Sequence, residues 1–158
     1  MPLTNNIFIS KHTSWLMAHE IANSHIIGIG GIFFKSKNPG ELQNWYKDHL
    51  GFSTQTPYMD GDDAITFKWR NWDGISENTV WAPFPNDTTY FEPSEKEFMI
   101  NYIVKDLEGL LEKLKIKGII PIGSVSTHPF GKFVQIVDPE GNKIEFWEPD
   151  RGHFADKY

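Results

Sequence analysis

The chain has 158 residues, 39% of them apolar and 23% charged, which suits one globular domain with a real core rather than a disordered chain. A formal net charge of −6, with no basic run, argues against nucleic acid and against an anionic membrane surface as partners. Cysteine is absent, which excludes disulfides, thiolate metal sites and cysteine nucleophiles. No stretch reaches the length of a membrane span, and the first 25 residues lack a basic start followed by an apolar run, so a cytoplasmic location is expected. Aromatic residues reach 15%, with 6 Trp and 12 Phe, as in a packed sheet or an aromatic-lined pocket.

Residues 1–25 read as an added N-terminal arm, in which Trp15 to Ile21 suits a short helix. A β-rich run follows over Ile26 to Lys35, with Gly28, Gly30 and Gly31 inside it. These glycines precede no helix directly and so make no phosphate loop; within a strand they allow close approach. Asn38 is a helix cap, with Pro39 at the first position and Glu41 three residues after the cap. Leu42, Trp45, Tyr46 and Leu50 recur at helical spacing up to Gly51. Strands are predicted over Ser53 to Tyr58, Ala64 to Arg70 and Asn78 to Phe84. Pro83 to Ser94 reads as a polar linker.

The order then repeats. Phe98 to Val104 is a predicted strand, and Asp106 caps a helix over 107–117 bearing Leu107, Leu110, Leu111 and Leu114 on one face. Strands are predicted over Ile119 to Ser124, Lys132 to Val137 and Lys143 to Trp147. Asp138, Pro139, Glu140 and Gly141 make a tight turn between the last two. Lys37-Asn38 overlays Lys105-Asp106, Leu42 overlays Leu110, and Asn78 to Trp81 overlays Asn142 to Glu145. A repeat of this length reads as a duplicated supersecondary unit. The expected fold is α+β: two βαβββ modules, about 26–85 and 97–149, in one domain over 26–150, with 151–158 as a C-terminal tail. Leu42, Tyr46, Leu110, Leu114, Ile144 and Phe146 are expected to be buried between helix and sheet.

Several segments carry a family likeness: Gly28 to Lys35 (GIGGIFFK), Asn38 to Gly51 (NPGELQNWYKDHLG), Phe98 to Leu107 (FMINYIVKDL), Gly131 to Phe133, and Asp138 to Pro149 (DPEGNKIEFWEP). Over residues 26–149 the chain resembles the vicinal oxygen chelate superfamily of glyoxalases, bleomycin-resistance proteins and extradiol dioxygenases. The resemblance implies two modules whose sheets curve into a cup. In the family's enzymes the cup holds one divalent metal, with a ligand from the first and last strand of each module. Carried over one at a time, those positions are Gly31, Trp81, Met99 and Glu145. Only Glu145 offers oxygen to a hard metal; glycine and tryptophan give no ligand, and a thioether suits reduced copper. A catalytic site needs about three protein ligands, so no metal or other cofactor is expected.

Alternation along the last strand puts Lys143, Glu145 and Trp147 on one face and Ile144 and Phe146 on the other. With the apolar pair against the helices, Glu145 points into the cup. There it either serves as a general base or ligand contact, with a raised pKa, or pairs with Lys143, Lys35 or a tyrosine. Phe33, Trp81, Met99, Asn101, Gln135 and Trp147 are expected to share that inner surface. His128 is expected to close over the mouth from a loop spanning Ser126 to Gly131. This set is mostly apolar with a few polar groups, the usual make-up of a ligand pocket.

The leading functional expectation is therefore a metal-free binder of a small, partly aromatic molecule, acting as a homodimer. The alternatives are a lyase, isomerase or dioxygenase, metal-dependent or based on Glu145, and a non-catalytic interaction module.

Overall fold

Local signals place the two helices. The computed structural model describes residues 25–53, 64–71 and 73–152, and within them α1 (Pro39–Leu50) begins where the Asn38 side chain accepts the Glu41 N–H. It ends where Gly51, at φ 69°, returns its N–H to the Lys47 carbonyl, a left-handed position that glycine takes without strain. Helix α2 (Leu107–Ile116) is capped by Asp106, whose carboxylate accepts the Gly109 N–H. The Glu148 carboxylate accepts the Leu107 N–H at 2.6 Å, so a side chain from the last strand ties down this helix end.

Seven strands form one mixed sheet: β1 (Ile26–Ser36), β2 (Ile65–Arg70), β3 (Ser76–Pro85), β4 (Phe98–Val104), β5 (Ile122–His128), β6 (Gly131–Val137) and β7 (Lys143–Pro149). Their spatial order is β2-β3-β1-β4-β7-β6-β5. The first strand of each half lies parallel to the last, β1 with β3 and β4 with β7, and β1 meets β4 antiparallel at the centre. This is the duplicated α+β arrangement that the repeat predicts. The helix predicted over Trp15 to Ile21, and the strand over Ser53 to Tyr58 beyond Ser53 itself, fall outside the described residues. None of the described helices is long and apolar enough to cross a membrane.

The Asp138–Gly141 turn forms as expected. The Gly141 N–H donates to the Asp138 carbonyl, φ at Gly141 is 79°, and the Asp138 side chain accepts the N–H groups of Glu140 and Asn142. These bonds hold the Asp138 carboxyl below the ordinary aspartate range, with Asn142 as the largest cause. The fifth strand differs from its prediction. It starts at Ile122 and runs through His128, so the expected loop shrinks to Pro129 and Phe130, and His128 pairs with Gly131. Alternation in Ser126–His128 is polar throughout, which hides the strand from a reading based on apolar residues.

The main core lies between α2 and the second half of the sheet. Val104, Leu107, Val134, Ile136 and Phe146 are buried there, with Leu110, Leu114 and Ile144 half-buried against them. In the first half, Leu42 and Tyr46 are also half-buried, and α1 has no fully buried residue. Of the six residues expected to be buried between helix and sheet, only Phe146 is buried outright. On the opposite face of the sheet a second cluster joins Phe33, Phe91 and Met99, packed by Val80, Ala82 and Phe84.

Candidate functional site

Glu145 is the chemical centre of the concave face. It is the third residue of β7, with Asn101 of β4 directly beside it on one flank and Gln135 of β6 on the other. Neighbouring residues in register share a face, so one carboxylate lies between two amides. The Asn101 amide donates to Glu145 Oε1 at 2.9 Å; the Gln135 amide donates to Oε2 at 2.7 Å. The Tyr90 hydroxyl donates to the same Oε2 at 2.6 Å. Glu145 is only 2% exposed, so these neutral donors replace the water that burial removes.

Tyr90 comes from the segment between the modules, which reads in the sequence as a polar linker. Its ring stacks on Phe84 at 5.5 Å, and its carbonyl accepts a 2.6 Å hydrogen bond from the Lys143 ammonium. Burial, reinforced by the adjacent Glu145 carboxylate, pushes the Tyr90 hydroxyl well above the ordinary phenol range. Lys143 shares the Glu145 face but is directed at Tyr90. Burial outweighs the pull of Glu145 and Glu92 and holds its ammonium below the ordinary lysine value.

These groups border a cavity of about 570 Å³, within the range of small-molecule sites. Phe33, Val80 and Phe84 line it from the first module; Ile122, Ser126, His128, Phe130, Phe133 and Trp147 line it from the second. Ring packing fixes these walls: Phe133 stacks on Trp147 at 5.9 Å, and His128 stacks on Phe130 at 5.5 Å. The Trp147 indole N–H donates to the Phe130 carbonyl at 3.0 Å, which sets the plane of the largest ring. Gly30 also lines the cavity. A β-carbon there would collide with the Asn101 side chain and with Trp147, so the strand glycine serves the close approach expected of it.

The structure brings together Phe33, Asn101, His128, Gln135, Glu145 and Trp147 of the residues singled out in the sequence. Two others lie elsewhere. Trp81 is not in the cup: its ring packs against Tyr46 at 4.6 Å, Phe34 at 5.1 Å and Phe52 at 5.7 Å, under α1. Overlaying Asn78–Trp81 on Asn142–Glu145 slips β3 by one residue, and a one-residue slip moves every side chain to the other face. Val80 and Ala82 hold the inward positions instead. Met99 does face inward, but it is fully buried with Phe33 and Phe91 and does not line the cavity. Of the four positions implied for a metal, then, Gly31 has no side chain, Trp81 faces the helix, Met99 is sealed, and Glu145 alone presents oxygen. Among the described residues no three His, Asp or Glu side chains gather where they could hold a metal.

Sequence reasoning missed Tyr90, Phe84 and Phe130. A signal existed for Tyr90: with Phe91 it is the only aromatic residue between Pro85 and Phe98.

No family model matches the chain, and no curated protein matches it. Solved structures do. A methylmalonyl-CoA epimerase from Streptomyces coelicolor, in complex with 2-nitronate-propionyl-CoA, superposes with a TM-score of 0.57 at 13% identity, covering 79% of this chain and 99% of that one. The methylmalonyl-CoA epimerase from Mycobacterium tuberculosis gives 0.52 at 17% identity, covering 84% and 95%. A glyoxalase/bleomycin resistance protein/dioxygenase superfamily member from Vibrio splendidus gives 0.49 at 15% identity, covering 78% and 98%. The chain thus shares its fold with these epimerases, in agreement with the α+β arrangement that the sequence resemblance implies. The concave face of this chain presents one carboxylate held by three neutral donors and walled by rings.

Proposed function

We propose that this protein binds a small, partly aromatic molecule in the cup of its second module, and does so without a metal. The observation that carries the reading is the single buried carboxylate, Glu145, facing a ring-walled cavity and oriented by hydrogen bonds from Tyr90, Asn101 and Gln135. Mostly apolar walls with a few fixed polar groups are the make-up of a binding pocket. Only one of the four positions that the resemblance implies for a metal offers a hard ligand, short of the three a catalytic metal needs. Small molecules are bound by proteins of the same fold, as in the epimerase complexes with methylmalonyl-CoA and 2-nitronate-propionyl-CoA; at 13% identity they do not name the ligand here.

A thermal-denaturation screen of planar aromatic compounds tests the reading, because a ligand of the folded state raises apparent stability. Stabilisation by one or more compounds, lost in Phe133→Ala, is expected. Metal analysis of tag-free protein gives an independent check: stoichiometric divalent metal, lost on Glu145→Ala, contradicts the metal-free part. The chain is also proposed to form a homodimer, and sedimentation at micromolar concentration showing only an 18.2 kDa species contradicts that.

A further inference from the structure

The charge balance of the cavity indicates what kind of ligand it takes. Its lining, among the described residues, contains one carboxylate and no lysine or arginine. The partners of that carboxylate are a phenol and two primary amides, which satisfy hydrogen bonds but carry no positive charge. The nearest buried ammonium, Lys143, donates to the Tyr90 carbonyl at 2.6 Å and sits 5.3 Å from the centroid of the Tyr90 ring. It is not within ion-pairing distance of Glu145 and does not line the cavity. Three parallel ring pairs border the cavity, Phe84 on Tyr90, Phe133 on Trp147 and His128 on Phe130, with interplanar angles of 9°, 6° and 8°. Aromatic faces are electron-rich and attract cations, most strongly where water is excluded.

We infer that the ligand is a planar organic cation bearing N–H donors, which stacks on these rings and directs its charge at Glu145. This rests on the binding reading given above and narrows it to a charge class. Glu145 Oε1 accepts only the Asn101 amide, so it keeps acceptor capacity for a charged donor. The carboxylate is already buried and oriented, so less of the binding free energy goes into dehydrating and fixing it. Anionic ligands such as phosphate esters are disfavoured by the same inventory, because the lining, among the described residues, sets a carboxylate against them and holds no lysine or arginine.

Benzamidinium and benzamide are close isosteres that differ in charge, and both carry an N–H donor. Ligand-observed NMR titrations of the full chain near neutral pH compare them directly. Benzamidinium is expected to bind roughly ten-fold tighter than benzamide, the scale of a charge-assisted hydrogen bond. Glu145→Gln should erase the difference while benzamide binding persists. Tyr90→Phe keeps the ring but frees a lone pair of the carboxylate, so benzamidinium should bind the variant at least as well as wild type; a marked loss would show that the phenol receives the cation and would overturn the inference. Equal binding of both probes to wild type, or a preference that survives Glu145→Gln, also overturns it and leaves the binding reading intact. Failure of both probes, together with failure of the wider aromatic screen, overturns the binding reading and this inference with it.

Discussion

The two halves of the molecule repeat one topology but use it differently. Toward the first module the concave face is filled: Phe91 enters from the inter-module segment and is buried with Phe33 and with Met99 of β4 against Val80, Ala82 and Phe84, and Phe33, Val80 and Phe84 turn their outer side to the cavity as its wall. In the second module the equivalent face stays open, and Glu145, Gln135, Phe133 and His128 border a cavity. The outer faces differ in the opposite sense. Helix α2 seats Leu107 in the main core, whereas α1 rests half-buried on an aromatic group of Tyr46, Phe52 and Trp81. A duplicated unit can thus close one half for stability and leave the other for function, because each sheet face is specified separately by alternation along its strands.

Emptying the filled half gives the largest expected effect. Phe91→Ala removes a ring that is 1% exposed and should cost about 3–5 kcal/mol in urea denaturation. A loss below about 1 kcal/mol would mean that the inter-module segment is not part of the core. The two helices offer the next contrast. Leu107→Ala, at 1% exposure, should cost about 2–5 kcal/mol, and Leu42→Ala on half-buried α1 about 1 kcal/mol. Equal losses would remove the asymmetry between the outer faces.

In the open half, Glu145→Gln leaves one of the three donors facing an N–H group. It should cost about 1–3 kcal/mol, measured by the same denaturation, with the fold retained by circular dichroism. The smallest effect is on the alkaline side. The Tyr90 hydroxyl is raised in the folded state, so its contribution is fully present below the unfolded phenol value of about 10 and is lost as pH rises past it. Lys143 is lowered in the folded state, so its contribution is full above about 10.4 and fades as pH falls toward its folded value. Tyr90→Phe should therefore flatten the loss of stability above about pH 10. An unchanged alkaline limb would place the Tyr90 hydroxyl in water rather than on Glu145.

Much of this was legible in the sequence where the determining physics is local. Asn38, Asp106 and the Asp138–Gly141 turn announce their elements within a few residues, and the structure places caps and turn there. Alternation in the last strand likewise put Glu145 and Trp147 on the inner face. The failures come from register and from chain excursions. Overlaying the two repeats puts Trp81 on the inner face, but strand pairing sets Ile32 opposite Trp81 and turns that ring toward α1. Tyr90 and Phe91 belong to no periodic element, so only tertiary structure shows that one caps the carboxylate and the other fills the first module.

The claim that the second module holds an open binding cup is tested most directly by a nitrogen–proton correlation titration with 2-naphthol, a neutral ring whose binding does not depend on ligand charge. The account predicts saturable shifts at the Trp147 indole N–H, the Gln135 side-chain amide and the backbone of Ser126 to Phe133, with α2 unmoved. Shifts confined to the helices, or none at all up to the solubility limit of the probe, would contradict it.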